Sequence, residues 1–324
     1  MEIKKLSEID PEQANVEYVD LMNTCFDAEQ KYADRFFIKK HIQNPFGQSY
    51  GNFIYEGGKL IATNLNLRWE FVFNGKIVKA VQMLDVQVHP DFQRKGVFRK
   101  GQEVCMKETP SELLRFSFPN SKSKPGFLQW GWKLSYRYAT KIYPTSWMKF
   151  IRKRVIEKRK DFKPQYRDST TNILEEKVLI TKFFDEITKK NTTNFSHELL
   201  TWKLSLNSYL NAKLFKSDNE IIALLLYSTS KIDNYSLMVI FDLLKLDDVE
   251  LQSSIKSEIK NFVKENFIDE VQYTGTDHNF LGQIFTPIKS KNADMIWHPN
   301  YGNRNDIYCM QKDMVVSKFV TDHL

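Results

Sequence analysis

Apolar positions in the first half of the chain fall in short alternating runs separated by glycine turns. Phe53 to Tyr55 and Leu60 to Leu67 flank Glu56-Gly57-Gly58-Lys59. Gly-Gly between strand-like runs predicts a hairpin. Trp69 to Phe73 and Lys76 to Val81 flank Asn74-Gly75, a strong two-residue hairpin signal. A further run from Val81 to Val88 is closed by His89-Pro90. The period then changes. From Gly96 onward Val97, Gly101, Val104 and Cys105 share one helical face, and Pro110 ends the stretch. Leu113 to Phe118 reads as a strand closed by Pro119. Antiparallel strands followed by strand, helix and strand predict an α+β fold.

The second half repeats this order. Glu175 to Lys189 is helical in pattern, and Lys213 to Phe215, Ile221 to Thr229 and Ser236 to Leu244 are strand-like. Val249 to Lys264 predicts a helix carrying Val249, Ile255, Ile259, Phe262 and Val263, and Val271 to Thr274 predicts a strand. Internal duplication of the fold is therefore expected. From Phe150 to Lys163 the chain is dense in charge and is followed by Pro164. Few aromatic residues interleave with its basic ones, which favours a solvated connector over a nucleic-acid or lipid patch. The expected organisation is a first domain over 1–150, a basic linker over 151–165 and a second domain over 166–324.

Composition narrows the class. With 324 residues and 42% apolar content, the chain can bury about two ordinary cores. Its longest apolar run, Ile221 to Tyr227, is far short of the roughly 20 residues of a membrane span. Met1 to Asp10 lacks the apolar core of a signal peptide, so a soluble, cytoplasmic protein is expected. Cys25, Cys105 and Cys309 are far apart and odd in number, unlike a disulfide scaffold. No Cys-x-x-Cys occurs, and His197, His278 and His298 lack metal spacing, so no metal is expected. The formal charge of +7 is a mild excess, compatible with a phosphate-rich ligand, nucleic acid, a membrane surface or none of these.

The segment from Val86 to Arg99 holds the informative chemistry. It is a strand that enters a short polar turn and opens a helix at Gly96. A helix start leaves about four backbone N–H groups without partners and adds partial positive charge. Such a turn binds phosphate where a glycine lets the backbone approach closely. Arg94, Lys95, Arg99 and Lys100 add positive charge around it. A P-loop is excluded, because Gln102 stands where the lysine after Gly96 and Gly101 would be needed. No Gly-x-Gly-x-x-Gly supplies a dinucleotide site.

Val88-His89-Pro90 followed by Gln93-Arg94-Lys95-Gly96-Val97-Phe98 resembles the signature of the GNAT acyltransferase superfamily. A second block, Asn120, Ser123, Phe127 and Gly131-Trp132, has the spacing of that family's downstream motif. Asn44-Pro45-Phe46-Gly47 and the hairpins before the signature also fit the family order, so the resemblance covers most of residues 35 to 135. It implies two tandem GNAT-like domains, each a mixed, mostly antiparallel sheet flanked by helices, the second degenerate. Leu200-Thr201-Trp202-Lys203-Leu204 with Tyr209 resembles an element of tandem GNAT-fold proteins.

The resemblance further implies acetyl-CoA as co-substrate. The backbone of Val86, Gln87 and Val88 would pair with the pantetheine arm, and the N–H groups of Gln93, Arg94, Lys95, Gly96, Val97, Phe98 and Arg99 would hold the pyrophosphate. Asn120 and Ser123 belong to the same site. The reaction would be direct attack of a primary amine on the thioester, with the oxyanion held by backbone N–H near Val86 or Gln87. Asp85 is the first candidate for the base and His89 the weaker one. Two departures stand out: Phe98 replaces a small residue, and Phe127 replaces the tyrosine that protonates the departing thiolate. Tyr136, Tyr138 and Tyr143 could also reach the acceptor groove, although aromatic clusters usually belong to the core. The acceptor is open between a small molecule, such as an amino sugar or polyamine, and a peptide amine; nucleic acid is not expected. The alternatives are a peptidoglycan-bridge aminoacyltransferase using charged tRNA and a non-catalytic CoA-binding protein.

Overall fold

A computed structural model describes residues 1–26, 35–152, 163–164, 173, 175–187, 192–275 and 278–297. Residues divide into two compact units, one over 1–71, 76–136 and the stretch from 294, the other over 72–75 and 137–293. Both are α+β.

In the first unit the chain runs through β1 (Glu2–Lys5), α1 (Pro11–Phe26), a π-helical turn (Ile38–Ile42), β2 (Tyr50–Glu56), β3 (Lys59–Phe73) and β4 (Lys76–Val88). It continues through α2 (Val97–Glu108), β5 (Leu114–Ser117) and α3 (Lys124–Gln129) into β6 (Lys133–Pro144). The sheet order is β1-β2-β3-β4-β5. The β1–β2 and β2–β3 pairs are antiparallel, and β4–β5 is parallel. Asn74 (φ 48) and Gly75 (φ 71) make the left-handed turn expected between β3 and β4.

Alternation along β2 and β3 sorts side chains to two faces. Phe53, Tyr55 and Leu65 pack with Ala14, Tyr18, Leu21 and Met22 of α1 and with Phe36 to Ile38. On the opposite face Ile54 and Ala62 meet Val97 of α2. Two runs expected as separate strands, Leu60–Leu67 and Trp69–Phe73, are one strand. Arg68 does not break it, because its guanidinium lies over the Tyr50 ring at 4.5 Å and its carbonyl accepts from Asn44 Nδ2 at 2.9 Å. The Val81–Val88 run likewise continues the strand that begins at Lys76.

The second unit contains α4 (Trp147–Ile151), α5 (Lys177–Ile187), α6 (His197–Leu206), β7 (Asn211–Ser217), β8 (Glu220–Ile232) and β9 (Tyr235–Lys245). These are followed by α7 (Val249–Glu265), β10 (Glu270–Gly275), α8 (His278–Gly282) and β11 (Lys289–Trp297), whose last residues fall in the first unit. β7, β8 and β9 form an antiparallel meander, and β10 lies parallel to β9. This repeats the order around β4, α2 and β5. Ile255, Ile259 and Val263 of α7 are buried against Ala223, Leu225, Met238, Ile240 and Val271. Val249 was expected on that buried face, but it is 83% exposed at the helix start. The Leu200–Leu204 segment lies in α6, with Leu199, Leu200, Trp202 and Leu204 buried. Of the charged connector, residues 153–162 lie outside the described residues, as do His298 and Cys309.

Candidate functional site

The site forms where β4 leaves β5. The parallel pairing covers Ala80↔Leu114, Val81↔Arg115 and Gln82↔Phe116 and goes no further. Ser117 Oγ donates to Met83 O at 2.8 Å at the last point of contact. Beyond it β4 is still held by β3, since His89 N–H donates to Ile61 O at 2.8 Å. A two-residue turn opposes Phe73 to Lys76, and regular pairing from there would set Val88, not His89, opposite Ile61. One extra residue has therefore been inserted. Asp85 supplies it, with φ 48, a left-handed conformation rare for a non-glycine residue. Alternation back from His89 turns the N–H and C=O of Val86 and Val88 to the unpaired edge. Gln93 Nε2 donates to Val88 O at 3.2 Å.

The bulge is held from behind. Thr63 Oγ1 donates to Asp85 O at 2.9 Å. The Asp85 carboxylate meets His41 Nε2 at 2.8 Å and Lys40 Nζ at 3.1 Å. His41 is fully buried and Lys40 is 4% exposed. His41 Nδ1 lies 2.9 Å from Ser49 Oγ, and its ring packs against Phe37 and Tyr18. Sequence reasoning missed Lys40, His41, Ser49 and Thr63. A signal existed: Lys39-Lys40-His41 interrupts an apolar run of Phe36, Phe37, Ile38 and Ile42, and polar residues buried in such a run need partners.

The phosphate-type turn follows. Arg94 (φ 62) and Gly96 (φ 76) are both left-handed. Gly96 is the N-cap of α2 and no side chain caps that helix start. Gln93, Arg94, Lys95, Arg99 and Lys100 are exposed around it, and Lys95 Nζ lies over the Phe92 ring at 5.1 Å. Lower down, α2 is locked to the sheet: Asn52 Nδ2 donates to Gly101 O at 3.0 Å and Gln102 Nε2 to Asn64 Oδ1 at 2.7 Å.

His89 is 9% exposed rather than an open loop residue. Its Nδ1 accepts from Asp91 N–H at 3.3 Å within the turn, and its Nε2 lies 3.5 Å from Lys59 Nζ at the start of β3. Phe98 turns towards α3, stacked on Trp130 at 4.7 Å and edge-on to Phe127 at 5.8 Å. Phe127 is 2% exposed, packed with Met83 and Trp132. Asn120 Oδ1 accepts from the N–H groups of Lys122 and Ser123, both at 2.9 Å, and from Ser123 Oγ at 3.2 Å, so this pair shapes the start of α3. A cleft of about 420 Å³ beside α2 is lined by Arg99, Gln102, Glu103, Met106, Lys107, Trp130 and Trp132.

Cys105 is fully buried, and burial pushes its thiol up to about 12, which suits a small core residue and not a nucleophile. Tyr143 is buried in the second core, while the side chains of Tyr136 and Tyr138 lie outside the described residues. Among the described residues no cluster of three His, Cys, Asp or Glu side chains could hold a metal, and no helix is long and apolar enough to cross a membrane.

The profile of the acetyltransferase (GNAT) domain family matches residues 6–132, which include the bulge, the glycine turn and the second block. Over these residues the chain is similar to the GNAT superfamily. No curated protein matches the chain in sequence. Solved structures agree on the GNAT fold. A GCN5-related N-acetyltransferase from Anabaena variabilis has a TM-score of 0.62 at 12% identity, over 91% of this chain and 72% of its own. A probable N-acyltransferase from Enterococcus faecalis has a TM-score of 0.60 at 14% identity, again over 91% and 72%. The N-myristoyltransferase of Saccharomyces cerevisiae with bound myristoyl-CoA has a TM-score of 0.54 at 11% identity, over 93% and 83%. These likenesses run through both halves of the chain, as expected of tandem GNAT-like domains.

The second unit offers a direct contrast at the equivalent corner. Where β9 passes into α7, Asp248 caps the helix, its carboxylate accepting from Glu250 N–H at 2.8 Å. Asp247 and Glu250 flank it. No side chain caps the start of α2, whereas three carboxylates surround the start of α7.

Proposed function

We propose that the protein is an N-acyltransferase that moves an acetyl or short acyl group from acyl-CoA to a primary amine. One observation carries the reading: the unpaired edge of β4 at Val86 and the uncapped start of α2 at Gly96 occur in one continuous segment. The first suits the amide-rich pantetheine arm and the second suits pyrophosphate. The cleft beside Trp130 and Trp132 would take the nucleotide end of the cofactor.

The amine attacks the thioester carbon directly, and the developing oxyanion takes a hydrogen bond from Val86 N–H. Asp85, 12% exposed at its side chain and bonded to His41 Nε2 and Lys40 Nζ, is the carboxylate nearest that N–H in sequence and is the proposed acceptor of the amine proton. His89 stays the weaker candidate, its Nδ1 accepting from Asp91 N–H and its Nε2 lying 3.5 Å from Lys59 Nζ. No tyrosine acid is required where Phe127 stands. A thiolate is a weak base, with an ordinary pKa of about 8.5, and it leaves without prior protonation and takes its proton from water. Residues 1–150 carry acyl transfer, and acceptor recognition is assigned to residues 166–324. A supply of acyl-CoA and an amine acceptor both fit the cytoplasm.

Isothermal titration with acetyl-CoA and with CoA tests the reading, and absence of binding at millimolar ligand overturns it. Asp85→Asn then tests the base: turnover unchanged across pH removes Asp85 from that role.

A further inference from the structure

We infer that Thr63, Lys40 and His41 are positioning residues that fix where the extra residue of β4 sits, and thereby aim Val86 N–H at the thioester oxygen. The inference rests on the acyl-CoA reading of this site and adds residues that reading does not use.

The argument starts from register. Pairing of β4 with β3 is fixed at one end by the two-residue turn between Phe73 and Lys76 and at the other by His89 and Ile61. One surplus residue must lie between them, and backbone geometry alone does not say at which position. Leu84 and Val86 offer apolar side chains, and a left-handed conformation at either would gain nothing to offset a cost of about 1–2 kcal/mol. Asp85 has compensation. Its carboxylate reaches His41 Nε2 at 2.8 Å and Lys40 Nζ at 3.1 Å, and its carbonyl reaches Thr63 Oγ1 at 2.9 Å. The two cationic-type side chains come from consecutive positions of the π-helical turn over Ile38–Ile42. His41 is fixed in turn by Ser49 Oγ and by the Phe37 and Tyr18 rings.

The bond from Thr63 has a directional consequence. In a trans peptide the carbonyl of one residue and the N–H of the next point opposite ways. Asp85 O is drawn to Thr63 on β3, so Val86 N–H faces the edge that β5 has vacated. Thr63 and His41 are wholly buried, so neither touches a substrate, and both act through the Asp85–Val86 peptide. Loss of the aim differs from loss of the fold: the cofactor still binds through the α2 turn, but its carbonyl is no longer polarised.

The test uses the full-length protein and isotope-labelled acetyl-CoA, with the carbonyl stretch of the bound thioester read by difference infrared spectroscopy. In the wild type the stretch is expected below its value in water. Thr63→Val removes the hydroxyl while conserving shape, and should return the stretch towards the free value with acetyl-CoA affinity changed less than about threefold. Thr63→Ser should restore the wild-type stretch. Wherever an active amine is at hand, kcat should fall by about tenfold or more in Thr63→Val at little-changed KM. His41→Gln is the second variant and decides the matter if Thr63→Val fails to fold. A wild-type stretch in both variants overturns the inference while leaving the acyl-CoA reading standing. A wild type that binds no acetyl-CoA overturns both.

Discussion

Gly101 is where α2 approaches the sheet most closely, and Gly101→Ala puts a number on that approach. A Cβ at this position would lie 2.0 Å from Asn64 Nδ2 and 2.8 Å from both Asn64 Cγ and Ile54 Cδ1. Asn64 is fully buried and its Oδ1 accepts from Gln102 Nε2 at 2.7 Å. Turning Asn64 aside breaks that bond and leaves a buried amide donor unpaired, at about 1–3 kcal/mol. Lifting the helix instead stretches the 3.0 Å bond from Asn52 Nδ2 to Gly101 O and opens the packing at Ile54. Overpacking by itself costs about 1–3 kcal/mol. Against this, alanine gains about 1 kcal/mol over glycine in a helix interior. Crowding wins, and a net loss of about 2–3 kcal/mol is expected. Asn64→Ser withdraws the obstructing amide, so the alanine should cost at least about 1 kcal/mol less in that background. The urea midpoint of the full chain measures both effects. Acetyl-CoA titration should show weaker binding in parallel, because the helix that must move also presents the Gly96 turn. A gain in stability for Gly101→Ala in the otherwise wild-type chain would refute the packing argument.

Gly96→Ala separates strain from crowding, since its Cβ would meet nothing within 4 Å but would sit at φ 76. It should cost about 1 kcal/mol in stability and weaken acetyl-CoA binding several-fold, read by thermal melt and titration respectively. Phe127→Tyr should restore no activity. Its hydroxyl would enter a cluster of Met83, Phe98 and Trp132, costing about 1–3 kcal/mol unless it finds an acceptor, and a rise in turnover would contradict this. Cys105 should resist alkylation at pH 8 until urea unfolds the chain, as followed by peptide mass mapping. Its raised thiol pKa also has a sign. The unfolded chain loses that proton first, so the contribution to stability is complete below 9.0 and is lost as pH rises towards about 12.

Local signals made much of the fold legible. Asn74-Gly75 and Gly57-Gly58 located two hairpins, and the spacing of Ile255, Ile259 and Val263 located α7, because these features depend on residues close in sequence. α1 went unread. Its Pro11–Phe26 stretch buries only Ala14, Asn15, Tyr18, Leu21 and Met22 along a narrow face and exposes Val16, so the periodicity is diluted. The phosphate-type turn was visible because Gly96 and its basic neighbours are contiguous. The Lys40–His41–Asp85 cluster was not, because it joins residues more than forty positions apart through a bulge whose position no local pattern marks. Asn120 and Ser123 matched a motif by spacing, and their observed hydrogen bonds show one thing that spacing secures, the start of α3.

The two strand-to-helix corners form a matched pair inside one chain. At α7 the cap made by Asp248 contributes about 1 kcal/mol to its helix, the ordinary gain from an N-terminal aspartate. At α2 the chain forgoes that gain and leaves Gly96 in its place. On the proposed function, the cap is present where no cofactor is expected and absent where the N–H groups would meet the pyrophosphate. Under the acyl-CoA reading, the uncapped start of α2 and the aspartate-capped start of α7 distinguish the half proposed to bind the cofactor from the half proposed to recognise the acceptor, and the comparison needs no second protein.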